Sequence, residues 1–151
     1  MPIYRERLWP SLWVFIATAL VMPASLLVFL PINTLVGYIV AVALYAACVG
    51  LLVATSPSIA VTGTHVIAGR ARLPLAFAGV AEAFTGEQAT LERGQRLDAR
   101  AWLVIRGWIS PVVKVPVTDP ADPAPYWLIS TRKPDEFAGA IAAAREGAAS
   151  Q

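Results

Sequence analysis

The chain holds one histidine, His65, and one cysteine, Cys48, in different parts of the sequence. Cys48 lies among apolar residues, where desolvation raises a thiol's pKa and disfavours the reactive thiolate, so it reads as a small packing residue. A single cysteine excludes an intrachain disulfide and a cysteine-based zinc site. His65, in Thr62-Gly63-Thr64-His65, has no cysteine or second histidine with which to share a metal, and reads as a turn or interfacial residue. Carboxylates are more plentiful, notably Glu82, Glu87, Glu92, Asp98, Asp119 and Asp122. Two of them brought together from distant strands would suit general acid–base chemistry, but nothing in their spacing marks a pair. Asp119-Pro120-Ala121-Asp122-Pro123 is a proline-stiffened loop rather than a ring of oxygen ligands. Gly63, Gly69 and Gly79 make neither a P-loop nor a dinucleotide fingerprint. The expectation is a protein that is not an enzyme and that uses no cofactor and no metal.

Binding is the better use for the remaining side chains. Arg70, Arg72, Arg106, Lys114, Arg132 and Lys133 fall on expected strands or at their ends, where anionic headgroups would each contribute about 1 kcal/mol near a membrane surface. Acidic residues nearly balance them, so a mixed solvated face and a lipid-binding surface both stay open. Trp102, Trp108 and Trp127 suit a groove, a membrane rim or a core. A net charge of only +2 argues against nucleic acid as a partner. The surface expected to bind combines basic and aromatic residues before the last helix: Tyr126, Trp127, Arg132 and Lys133.

What must position these groups is set by a composition shift. Between Arg7 and Arg70 there is no Lys, Arg, Asp or Glu, and a charge at a bilayer centre costs about 2.5–3.5 kcal/mol on insertion scales, so this stretch reads as membrane-spanning. It divides at Pro31-Ile32-Asn33-Thr34, where Asn33 or Thr34 can cap a new helix. Two spans follow, residues 8–30 and 35–54, about 34 and 30 Å long at 1.5 Å per residue. Arg5, Arg7, Arg70 and Arg72 flank the hairpin and the linker has no basic residue, which puts both termini in the cytoplasm and the protein in the cell inner (plasma) membrane. Ala17-Thr18-Ala19 has the look of a signal-peptidase site, yet apolar sequence runs on to Leu30. Pro23 interrupts the first span and favours a kink. Small residues four apart, Gly37 with Ala41 and Ala43 with Ala47, permit close helix packing, within the hairpin or in a homodimer.

From Pro57 the pattern changes to short β-branched and aromatic segments. Strands are expected at residues 58–62, 65–69, 72–77, 80–85, 101–106, 112–117 and 126–131, with a polar loop or short helix over 86–100 and an amphipathic helix over 134–146 that turns Phe137, Ile141 and Ala144 to one side. The fold class is thus an α+β membrane protein: a transmembrane hairpin over residues 1–56, then an independently folding domain over 57–151. A bent sheet or open barrel closed by the last helix resembles a pleckstrin-homology-like domain.

Tyr4-Arg5-Glu6-Arg7-Leu8, the hairpin, Gly69-Arg70-Ala71-Arg72-Leu73-Pro74, the Val117–Pro123 loop and Tyr126-Trp127-Leu128-Ile129-Ser130-Thr131-Arg132-Lys133-Pro134 together resemble the small, alanine-rich actinobacterial membrane proteins grouped as a domain-of-unknown-function family. The resemblance implies two spans, a cytoplasmic β domain and no catalytic residues to carry over. The expected role is a membrane-tethered binding or scaffolding module whose partner is an anionic headgroup or another membrane protein; the alternative is an accessory or regulatory subunit of a membrane enzyme or transporter.

Overall fold

The computed structural model describes residues 2–149. They form two compact units: one from the residues up to Leu8 together with those from Pro57 onward, the other from Trp9–Ser56.

The first unit begins with a strand that the composition shift had concealed. Tyr4-Arg5-Glu6-Arg7 alternates in and out, and forms β1 (Tyr4–Arg7). It pairs antiparallel with β2 (Ser58–Val61), Tyr4 opposite Val61 and Arg7 opposite Ser58. β3 (His65–Ala68) and β4 (Ala71–Pro74) complete a four-stranded antiparallel meander in chain order. The β3–β4 hairpin turns on Gly69-Arg70, with Gly69 at φ +64, the left-handed conformation that only glycine adopts without strain. Period-two alternation sends Ile59, Val61, Val66, Ala68 and Leu73 into the core. The strand expected over 72–77 stops at Pro74 because Leu75–Phe77 winds into a short 3-10 turn.

The second sheet has the order β5 (Glu82–Phe84), β7 (Val112–Pro116), β8 (Tyr126–Ser130), β6 (Trp102–Val104). β8 is its centre, buried at every position, and pairs antiparallel with β7 and parallel with β6. Between the 3-10 turn and β5, Gly79 donates its N–H to the Pro116 carbonyl over 2.7 Å. A Cβ there would stand 2.8 Å from Pro116 Cβ, so only glycine fits. The polar stretch after β5 contains α4 (Gly86–Arg93). The last helix, α5 (Pro134–Ala149), sets Phe137, Ile141 and Ala144 at i, i+4 and i+7 into the core with Leu8, Ile59, Val61, Val113, Val115 and Ile129.

Two expectations change here. The unit is not confined to residues 57–151, since β1 belongs to its first sheet and Leu8 is fully buried in its core. Nor do the first span and the 1–56 hairpin begin where composition placed them: Leu8 is spent in the β unit, and helix starts only at Leu12.

In the second unit the first apolar helix is divided into α1 (Leu12–Ala19) and α2 (Val21–Phe29). Pro23 lacks an N–H and its ring clashes with the carbonyl four residues back, at Ala19, which is where α1 ends. α3 (Thr34–Ala54) is continuous and is capped as expected, the Val36 N–H donating to Asn33 Oδ1. Gly37 and Ala41 are buried, and a Cβ on Gly37 would touch Phe29 at 3.4 Å, so this pair packs the hairpin against itself. Ala43 and Ala47 remain exposed on another part of α3. The helices are apolar on all sides, and only 6% and 11% of their most hydrophobic windows is buried.

Candidate functional site

Polar chemistry in the β unit gathers at two places, each built on a carboxylate. The first is the corner where β8 meets α5. Tyr4 and Glu6, two apart on β1, point to the same inner face. Glu6 Oε2 accepts from the Tyr4 hydroxyl at 2.8 Å and from the Thr131 hydroxyl at 2.5 Å, while Glu6 Oε1 accepts from the Arg132 backbone N–H at 3.1 Å. The Thr131 oxygen in turn accepts from the Lys133 N–H. Thr131 is fully buried, and the Tyr4 ring lies 5.3 Å from that of Phe137. Burial, with the Glu6 charge beside it, pushes the Tyr4 phenol up to about 12, so it stays a proton donor at physiological pH. A carboxylate that accepts three hydrogen bonds is a clamp, not a free base, and the Thr131 hydroxyl that donates to it has no imidazole to activate it. Glu6→Ala leaves the buried Thr131 hydroxyl without its acceptor, with an expected loss of about 1–3 kcal/mol in a denaturant melt at unchanged slope.

The second place joins α4 to the second sheet. Glu92, 3% exposed, accepts from Lys114 Nζ at 2.9 Å and pairs with Arg96 at 3.3 Å. Lys114 Nζ also sits 4.4 Å from the centre of the Tyr126 ring, a cation–π contact. The Tyr126 hydroxyl accepts from the Asp98 N–H at 2.7 Å. Burial alone would raise the Glu92 carboxyl; the hydrogen bonds and charges of Lys114 and Arg96 outweigh it and hold the carboxyl below its usual range.

The four residues expected to form one binding surface are divided. Tyr126 and Trp127 are 7% and 4% exposed, turned into opposite faces of the central strand β8 and packed in the core. Arg132 and Lys133 reach the surface, where Arg132 lies 3.9 Å from Glu6 and Lys133 pairs with Glu136 at 2.9 Å. The aromatic half is therefore interior, because a strand paired on both sides and covered on both faces has no outward side chain. His65 Nδ1 contacts its neighbour Thr64 Oγ1 at 2.8 Å, and Cys48 is half-buried in α3. Among the described residues no three of His, Cys, Asp and Glu gather where they would hold a metal ion. Sequence reasoning passed over Glu6; its signal was the alternation of Tyr4-Arg5-Glu6-Arg7 followed by an apolar Leu8.

Fold and polar clusters thus define a class: a mixed α+β protein of two sheets and a terminal helix, with two apolar helices carried between its first two strands. The chain belongs to the family described as Protein of unknown function (DUF3093), which matches residues 3–141. That match starts one residue before β1 and ends at Ile141 on α5, so it spans the strand, the hairpin and both sheets. No curated protein and no solved structure matches the chain.

Proposed function

We propose that the protein is a two-span membrane protein that holds a pleckstrin-homology-like module at the bilayer surface, where it binds or scaffolds rather than catalyses. One observation carries the reading: helical stretches of 18 and 21 residues, with mean hydropathy 2.3 and 2.4, keep most of their apolar surface uncovered. Leu12, Ile16, Leu27, Ile39, Val42 and Leu51 are each more than half exposed. Helices apolar on every side find a matching solvent in lipid and not in water.

Two four-stranded sheets closed by α5 support the module's pleckstrin-homology-like character, with the parallel β6–β8 pair as its departure from an all-antiparallel barrel. A binding role accords with the polar clusters, both of which spend their charged groups on docking secondary-structure elements. The orientation has two independent supports. Basic residues flank the hairpin and not its linker, and the Leu8 N–H donates to the Pro57 carbonyl at 2.9 Å, so both ends of the inserted stretch must return to one side. That side is the cytoplasm by the positive-inside rule.

Reporter fusions test it. Fusions after Gln151 are expected to report the cytoplasmic side of the inner membrane and an insertion at Asn33 the opposite side, with the protein resisting alkaline extraction. A C-terminal reporter on the outer side, or release of the protein by alkali, refutes the reading.

A further inference from the structure

The outer face of the first sheet carries arginines and no acidic residue. Register places Arg5, Ala60, Ile67 and Arg72 in a single row across all four strands. Arg7 and Ser58 face each other in a neighbouring row, as do His65 and Pro74. Glu6 is the one acid in these strands and shares the inner face with Ile59. Arg70 adds a further charge from the β3–β4 turn. Elsewhere in the unit most cations lie beside acids, Arg96, Arg100, Lys114, Arg132 and Lys133 pairing with carboxylates, while Arg93 on α4 donates to the Ala89 carbonyl. Arg5, Arg70 and Arg72 have no carboxylate partner among the described residues. A nearly balanced composition therefore hides a segregated face.

We propose that this face, with Arg5, Arg70 and Arg72 as its cationic contacts, seats the anionic phospholipid headgroups of the leaflet that the hairpin enters. Charge complementarity is one argument, since the cytoplasmic leaflet is anionic and basic residues near it are attracted within a Debye length. Chain continuity is the other: Arg7 stands two residues before Trp9, and Ser58 two after Ser56, so two of the four strands that bear the face, β1 and β2, adjoin the apolar stretch in sequence. Ala60 and Ile67 lie between the two arginines in this row, so the charges stand at its two ends. The inference rests on the membrane reading above and names the partner of that module.

Arginine labelling of the full chain tests it. The protein is placed in nanodiscs of phosphatidylcholine, alone or mixed with phosphatidylglycerol, and phenylglyoxal modification of each arginine is followed by mass spectrometry. In the anionic discs Arg5, Arg70 and Arg72 are expected to react about fivefold more slowly, the factor equivalent to about 1 kcal/mol per basic residue near such a surface. High salt should abolish the difference. Arg93 and Arg145, on α4 and α5, should keep their rates, and inorganic phosphate added to neutral discs should protect none. Equal rates at Arg5, Arg70 and Arg72 in both discs overturn the proposal and leave the tether standing; so does equal slowing at Arg145, or protection by phosphate alone. A chain that alkali washes from the discs overturns the membrane reading as well.

Discussion

Residues 2–8 joined by a short glycine–serine linker to residues 57–149 are expected to give a soluble protein that melts cooperatively, while residues 57–149 alone are not. β1 is what the second fragment lacks. Its loss removes Leu8, which is fully buried, and the ladder that extends to the Ile3 N–H and the Val61 carbonyl at 2.7 Å. It also removes the Tyr4 ring from Phe137 and the Glu6 carboxylate from Thr131. A large buried aliphatic side chain lost without replacement costs about 2–5 kcal/mol, and an orphaned buried hydroxyl about 1–3, against a total stability of about 5–15 kcal/mol for a domain. The truncated fragment would further expose β2 as a bare sheet edge, prone to pair with other chains. Circular dichroism melts of the two fragments decide the matter. A cooperative transition at the same temperature in both would show that β1 is dispensable.

Arg96→Met together with Lys114→Met is expected to cost about 3–5 kcal/mol at neutral pH, because it leaves Glu92 buried and charged without a partner. Most of that loss belongs to Lys114, since the Arg96 side chain is 54% exposed and its ion pair is weakened by solvent. The pH dependence is the sharper readout. In the native protein the Glu92 carboxyl titrates below its unfolded value of 4.5, so its contribution is present above that pH and is lost as pH falls through the folded pKa. With both cations gone, burial acts alone and lifts the folded pKa above the unfolded one. The contribution is then present at acid pH and lost as pH rises, so the variant gains stability on acidification from neutral where the parent gains none. Adding Glu92→Gln should remove this pH response. Denaturant melts across the acid range read both results, and a variant that loses stability on acidification as the parent does would show that Glu92 is not desolvated.

Most elements of the β unit were legible because their residues obey period two or period 3.6 and are bounded by Gly, Pro or charge. The alternation over 58–61 and 65–68 and the Phe137-Ile141-Ala144 stripe are local signals. β1 was not legible for a physical reason: its partner lies across a long apolar insertion, and composition groups Arg5 and Arg7 with the hairpin they flank. The break at Leu20 could be anticipated from Pro23. Trp127 and Tyr126 were misplaced because an aromatic residue looks the same in sequence whether its strand is central or at an edge, and only the order β5-β7-β8-β6 makes β8 central. The cationic face was hidden differently. It depends on which strands lie side by side, and a charge count averages over that arrangement.

The β1–β2 ladder has a bearing on how the protein is made. A ribosome releases Tyr4–Arg7 roughly fifty residues before Ser58–Val61, an interval of several seconds at about 5–20 residues per second, so the sheet waits for whatever lies between to settle. The ladder also imposes a parity rule. A segment inserted between two hydrogen-bonded strands can cross a barrier twice or not at all, but never once, because a single crossing would leave the strands on opposite sides. Correct folding of the first sheet thereby rules out a single crossing, and a chain that crossed once would be left with Leu8 and the edge of β2 uncovered.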